Sequence, residues 1–279
     1  MKLSVIIVSY NAADFLRNCL ISVLKELPTD AEVIVFDNAS TDDQIQSFPQ
    51  EFPCVQFVLN QENRGFAYAN NAAVRRAQGE FILILNPDTL VYAGFFDNLL
   101  DFAEQKSNLG ALGVRMIDGK GRFLPESKRN IPDLISSFSK LFVSDEKSNY
   151  YHQSLGEHEN GETFVLSGAC MLMKKSVYEE VGGFDERYFM YGEDIDLSFT
   201  LLKNGYKNYY LGEVSITHFK GESTVKDKKY LERFYGAMEI FLIKYYKKQR
   251  PLQYYLMLVG LKFKYWKAKK KFQKSGLIK

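Results

Sequence analysis

Residues 3 to 9 (LSVIIVS) form an unbroken aliphatic, β-branched run, and after Asn11 the apolar positions recur at helical spacing as far as Leu24. The change of period predicts a strand followed by a helix. The same logic returns in AEVIVFDNAS (31 to 40), where a strand would end at Asp37, and in the short VQFVLN (55 to 60). GFAYANNAAVRRAQG (65 to 79) is Ala-rich and closes on Gly79, so it reads as a helix with its stop. EFILILN (80 to 86) is apolar at consecutive positions, as a strand covered on both faces should be. Strand and helix alternating in this way predict an α/β fold, a Rossmann-like, mostly parallel central sheet flanked by helices.

Beyond Leu100 the alternation weakens. LGALGVRMIDGKGRF (109 to 123) reads as a hairpin turned by Gly119 and Gly121, and residues 144 to 163 read as a polar loop. A strand, a helix and a Gly-Gly break follow within 166 to 186, then a helix over 192 to 205 with acids in its first turn. Two short strands would lead to THFKGEST (217 to 224), and the last fifty residues read as helical. These divisions suggest a body over 1–224, with a first part to about 100 and a second from about 101, and a helical basic extension over 225–279.

Charge refines the picture. The net charge is +2, yet Lys244 to Lys279 hold 12 of the 36 bases and no acid, so the body is acidic and the tail basic. A basic block confined to one end of an acidic body argues against nucleic-acid binding. Cys19, Cys54 and Cys170 are odd in number and scattered, as reduced thiols in the cytoplasm would be. The apolar N-terminus has a single lysine before it and no small-residue cleavage pattern, so a buried first strand is the better reading than a signal peptide.

In parallel α/β sheets ligands sit beyond the carboxyl ends of the strands. Ser9, Asn11, Asp37, Asn38 and Asp88 all fall there. A carboxylate at such an end can accept from a base or a sugar hydroxyl, or ligate a hard cation such as Mg²⁺ or Mn²⁺; equally, it can cap the turn that follows. Glu193, Asp194 and Asp196 can serve a helix dipole or supply a general base. His218 ends a strand and precedes Lys220, so an imidazole for a metal and a cation for phosphate fall close together, although a lone His is more often a plain surface or core residue. His152 and His158 are read as loop surface. Asn63, Arg64 and Gly65 lead into a helix whose first amides can face an anion. Neither a GxGxxG nor a P-loop is present.

Taken in order, SVIIVSYNAADFLRNCLISVL, VIVFDNASTD, NRGFAYANNAAVRRAQGEFILILNPDT, GACMLMKKSVYEEVGGFDERYFMYGEDIDL and THFKGEST resemble the family 2 nucleotide-sugar glycosyltransferases, inverting enzymes of the GT-A fold. The resemblance spans roughly residues 3 to 224 and is strongest toward rhamnosyltransferase-like enzymes of cell-surface polysaccharide assembly. It implies a nucleotide-sugar donor (UDP- or dTDP-linked) and a glycan or lipid-linked acceptor. It places Ser9, Asn11, Asp37, Asn38, Ser40, Arg64 and Gly65 around the nucleotide. Asp88 and His218 would hold Mg²⁺ or Mn²⁺, Lys220 would face the diphosphate, and Asp194, with Glu193 beside it, would be the base. Asn86 stands where the fuller metal motif has its first Asp; it can bond a sugar hydroxyl but ligates metal weakly. Thr200 stands where related sequences often carry Arg.

The tail RPLQYYLMLVGLKFKYWKAKKKFQKSG (250 to 276) has an apolar core, Leu252 to Leu261, about half the ~20 residues needed to span a bilayer. A helix lying in the interface of the inner membrane face is the favoured reading, and docking on the body or on a second subunit is the other. The rival readings of the whole are a nucleotide-sugar pyrophosphorylase, disfavoured by the missing Gly-rich phosphate loop, and a non-catalytic carbohydrate-binding or assembly subunit that kept the fold. Donor sugar, linkage and oligomeric state are not encoded in any pattern found.

Overall fold

The structure, a computed structural model, describes residues 1–130, 154–219 and 227–274. Its centre is a nine-stranded sheet. Strands β1 (Leu3–Ser9), β2 (Ala31–Asp37), β3 (Gln56–Leu59) and β4 (Phe81–Leu85) form the parallel half, in the order β3-β2-β1-β4. Helices α1 (Ala13–Glu26) and α3 (Phe66–Val74) cover it, with the short α2 (Phe48–Glu51) before β3. Every residue of β1 and β4 is buried, which is why their sequences run apolar without alternation. At roughly 1.5 to 3 kcal/mol per fully buried large aliphatic, these strands are the sheet's anchor.

The second half of the sheet is mixed. The short β5 (Thr89–Leu90) and helix α4 (Phe95–Glu104) precede β6 (Leu109–Ile117), and a two-residue strand β7 (Lys128–Arg129) pairs with β9 (Val165–Leu166). Beside them β8 (Gly161–Thr163) pairs with β11 (Lys207–His218). β10 (Cys170–Lys174) runs antiparallel between β4 and β6, with Cys170 opposite Leu85. This reversal has a functional result: the start of β10 lies at the sheet edge where β4 ends, and Asn86 N–H donates to Ala169 O at 2.9 Å. β11 then runs parallel to β6 and delivers His218 opposite Thr89.

Several local expectations are refined. The stretch 109 to 123 is one long inner strand followed by a turn, with only an isolated bridge between Ile117 and Phe123 where a hairpin was expected. The two strands expected before His218 are a single strand with a register shift between Leu211 and Ser215. Helix α3 stops at Val74 rather than near Gly79. Gly79 instead allows close approach: a Cβ there would lie 2.5 Å from Ser4 N. Of the loop expected over 144 to 163, residues 144–153 lie outside the described residues, and the remainder ends in β8.

α5 (Lys175–Glu180) and α6 (Glu193–Lys203) complete the body, and α7 (Lys228–Tyr245) and α8 (Pro251–Lys274) form a helical hairpin. Asp227 caps α7 by accepting from Tyr230 N–H at 2.8 Å, and Pro251 opens α8 where a missing N–H costs nothing. Leu242, Tyr254, Met257 and Leu261 bury themselves between the two helices. The hairpin is fastened to the body by charge. Lys244 Nζ donates to Asp196 Oδ2 at 2.6 Å and to Asp185 Oδ2 at 3.0 Å, while Tyr245 OH donates to Asp196 Oδ1 at 2.8 Å. Burial opposes the Lys244 charge, but its bonds to Asp196 and Asp185 more than offset this and raise its pKa. Asp185 is held below the usual carboxylate range by Arg187 first, against some burial, with Lys244 adding to the effect. Lys244→Ala leaves Asp196, 1% exposed, without its cation, and stability is expected to fall by about 3 kcal/mol. Thermal unfolding checks this as a Tm lower by roughly 5 to 10 °C.

Candidate active site

Ser9 and Asp37 sit side by side in the β1–β2 register, and Ile7 pairs with Leu85, so the ends of β1, β2 and β4 line one edge. The loops there are knitted by side chains. Asp37 accepts from Ser40 N–H at 2.9 Å and from Ser40 Oγ–H at 2.5 Å. Burial raises the Asp37 pKa, and the Ser40 bonds only partly oppose it. Ser40 Oγ in turn accepts from Asn11 N–H at 2.8 Å, and Asn11 Oδ1 accepts from Thr41 N–H at 2.7 Å. Asn11 and Ala39 take positive φ angles of 49° and 64°, which lets both loops fold back on the edge.

Asn38 works inward. It is 3% exposed, donates to Asn63 Oδ1 at 2.9 Å and Gly65 O at 3.2 Å, and accepts from Arg64 N–H at 3.2 Å. It holds the loop before α3 rather than presenting its amide to solvent. The Arg64 guanidinium lies 3.7 Å from the Tyr68 ring centroid. Gly65, with φ +90°, is squeezed against the Phe189 backbone: a Cβ there would lie 2.4 Å from Phe189 O, which also accepts from Phe66 N–H at 2.8 Å. The "RYFMY" segment is thereby pinned over the start of α3.

Across the edge, Asp88 Oδ1 and His218 Nε2 stand 3.3 Å apart, both side chains nearly buried. Phe219 N–H donates to Asp88 O at 2.9 Å and fixes the turn. Asp194 is the second residue of α6, which starts just after Tyr191 and Gly192, whose φ angles are 73° and 83°. Its Oδ2 accepts from Arg129 Nη2 at 2.6 Å and from Gly168 N–H at 3.2 Å, and its Oδ1 from Ile195 N–H at 2.8 Å. Gly168 precedes Ala169, the partner of Asn86, so backbone hydrogen bonds tie Asp194 to the end of β4. Glu193 is buried, its Oε2 lacks a partner among the described residues, and burial followed by the Asp194 charge raises its pKa well above the usual carboxylate range. The neighbouring carboxyls thus sit in different surroundings: burial disfavours the charged form of Glu193, and Asp194 is paired with the Arg129 cation and 15% exposed.

The structure therefore brings together Ser9, Asn11, Asp37, Asn38, Ser40, Asn86, Asp88 and His218 along one edge, with Arg64 and Gly65 at the adjoining loop and Asp194 joined through Gly168. Lys220 lies outside the described residues, as does His152. Asp196 and Thr200 face elsewhere: Thr200 Oγ1 bonds Asp196 O at 2.8 Å and Tyr245 OH at 3.0 Å, so the position serves the hairpin joint. His158 is exposed, as expected. Arg129 was not foreseen. It lies on a two-residue strand in SKRN, a stretch with no periodicity to mark it.

Asp88 and His218 offer a hard oxygen and a neutral imidazole nitrogen, a donor pair suited to Mg²⁺ or Mn²⁺. Among the described residues no cluster of three or more acidic, His or Cys side chains accompanies them. Two protein ligands suit a cation whose other positions are filled by a diphosphate and water. The orphaned, buried Asn86 Oδ1 and His218 Nδ1 leave polar capacity at the same place.

A fold of this topology, with acids and an imidazole gathered at one sheet edge, suits an enzyme of the glycosyltransferase class, and comparison with known sequences shows that class. The family model described as Glycosyl transferase family 2 matches residues 4–182, and the chain belongs to that family. It is 32% identical over 257 residues, 86% of this chain and 83% of the other, to the N-acetylglucosaminyl-diphospho-decaprenol L-rhamnosyltransferase of Mycobacterium tuberculosis. It is 26% identical to the rhamnosyltransferase WbbL of Escherichia coli, over 77% of this chain and 82% of the other. These relatives put it in the rhamnosyltransferase-like branch. The crystal structure of GalNAc-T7 with UDP, GalNAc and Mn²⁺ superposes with a TM-score of 0.62 at 17% identity, covering 78% of this chain and 44% of that one. That likeness shows the GT-A fold.

Proposed function

We propose that the chain is an inverting, metal-supported glycosyltransferase of cell-surface polysaccharide synthesis, moving a sugar from a UDP- or dTDP-linked donor to a hydroxyl of a glycan or lipid-linked acceptor. The proposed division assigns 1–224 to the transferase domain, with the nucleotide held by its first hundred residues, and 225–279 to an extension in peripheral contact with the inner face of the cell membrane. One observation carries the reading: the Asp88–His218 pair lies 3.3 Å apart at the sheet edge to which Asp194 is tied through Gly168 and Asn86. The activities of the two rhamnosyltransferase relatives and the UDP and Mn²⁺ of the structural neighbour support it.

In this reading Asp37 accepts from the pyrimidine base and the ribose lies over the Ser9–Asn11 turn, with Arg64 near the nucleotide. Asp88 and His218 would hold the divalent ion, which supplies charge neutralisation for the departing diphosphate. Lys220 would add a second cation. Asp194 takes the proton of the acceptor hydroxyl as that oxygen attacks the anomeric carbon from the face opposite the nucleotide, and a single displacement inverts the centre. Arg129 keeps the carboxylate aimed, and Oδ1, which meets only the Ile195 N–H, retains a lone pair for the proton.

Incubation of the protein with Mn²⁺ and a panel of UDP-, dTDP- and GDP-sugars tests this by release of free nucleotide. Slow, metal-dependent release from one donor is the expected result. Calorimetry showing no nucleotide bound would overturn it in favour of a non-catalytic subunit.

A further inference from the structure

We infer that the outward side of α8 is a docking surface for an anionic lipid bilayer. At 100° per residue, Leu252, Tyr255, Leu256, Val259, Phe263 and Trp266 fall within an arc of about 100° along one side of the helix. All six face solvent: Leu252 is 75% exposed, Val259 70%, Tyr255 and Leu256 59%, Trp266 49% and Phe263 44%. The opposite side is already spent, since Tyr254, Met257 and Leu261 pack on α7. Ordinary surfaces scatter single apolar residues, and a continuous row of six large ones needs an occupant.

The charges around the row say which. Lys267 flanks it and Lys270 extends it past Trp266, with Lys267 4.5 Å from the Phe263 ring centroid and Lys270 3.9 Å from that of Trp266, while Lys262 on the other margin is paired with Glu239 of α7 at 2.6 Å. Aromatic rings with lysines at their margins match the boundary between acyl chains and anionic headgroups. A second copy fits poorly, because a two-fold contact between α8 rows would gather Lys267 and Lys270 of both copies at one seam, α8 itself holds no acid to offset them, and Glu239 of α7 is already paired with Lys262. Among the described residues no helix is long and apolar enough to cross a membrane, so the contact is one that lies on the surface.

This deepens the peripheral placement proposed above, and rests on it for the choice of a lipid acceptor's membrane. It adds a geometry. Lys244 and Tyr245 bolt the hairpin to Asp196, and Asp196 lies in the same first turn of α6 as Asp194. Arg233 of α7 also lies 3.8 Å from the Phe189 ring centroid, beside the loop that closes on Gly65. A docked α8 would hold the acceptor half of the site at a fixed height above the lipid.

Trp266 is the chain's one tryptophan, so it reports directly. Full-length protein is mixed with vesicles of phosphatidylcholine containing phosphatidylglycerol, and with phosphatidylcholine vesicles alone. The expected result is sedimentation with the anionic vesicles, a Trp266 emission shifted to shorter wavelength, and release at high salt. Leu256→Ser with Val259→Ser, and separately Lys267→Glu with Lys270→Glu and Lys271→Glu, should each weaken binding about tenfold while keeping donor hydrolysis. Wild-type binding by either variant, or no binding by the parent, would overturn the inference. So would a dimer in sedimentation velocity that the serine pair dissociates without any vesicle effect. Absence of donor hydrolysis by the parent protein, with its vesicle binding as expected, would count against the transferase reading and not against this surface.

Discussion

Asp194→Asn is expected to lower kcat for sugar transfer by about a thousandfold, with the Kd for nucleotide within roughly twofold of the parent. The asymmetry follows from where Asp194 sits. It is reached through Gly168 from the end of β4, and no hydrogen bond in the described structure joins it to the Asp37–Ser40 loop. An amide keeps the side chain's shape and can still accept from Gly168 N–H, but it cannot take a proton. Glu193→Gln is the matched control. Glu193 is buried, and that burial disfavours its charged form, so a neutral amide of the same shape should change turnover little. Arg129→Gln tests aim rather than chemistry: kcat should fall with nucleotide affinity unchanged. Steady-state kinetics with nucleotide calorimetry separates the three. An active Asp194→Asn enzyme would remove the proposed base, and an inactive Glu193→Gln enzyme would transfer the role to its neighbour.

The parts of this site that were legible in the sequence share one property: each sits where a period ends. Ser9, Asp37 and Asn86 follow apolar runs, and a run buried on both faces has to stop at the sheet edge. Asp194 was marked by the acid-rich first turn of its helix. Arg129 and Lys244 carried no such mark, since their partners lie 65 and 48 residues away, and such pairings are created by tertiary packing. The hairpin expected over 109 to 123 failed for a related reason. Glycines did turn the chain, but β6 found stronger partners in β10 and β11, so the return segment was left with one bridge. Asn38 shows a subtler limit. Its position at a strand end was right, yet its hydrogen bonds run to Asn63, Arg64 and Gly65, so it shapes the loop before α3 from behind.

Asp88→Asn is expected to weaken Mn²⁺ binding in the presence of nucleoside diphosphate at least about tenfold and to lower turnover by about a hundredfold. The pair it forms with His218 has two physical readings, and this substitution separates them. If the 3.3 Å contact is a hydrogen bond that only ties β11 to the end of β4, an amide preserves it, and Mn²⁺ dependence stays as it was. If the two side chains share a cation, the amide removes a negative charge from a site where both groups are more than nine-tenths buried. A divalent ion loses its one charged protein ligand among the described residues, and no cluster of other acids stands by to replace it. His218→Gln should then give a similar loss of Mn²⁺ affinity, and the double variant little more than either alone, because one ion reads both ligands. The thermal midpoint guards against a trivial cause, for a folded Asp88→Asn protein that has lost Mn²⁺ affinity has lost a ligand and not its sheet. An unchanged Mn²⁺ titration in that folded variant would leave the diphosphate to Lys220 and the surrounding amides, and the cation would drop out of the reaction.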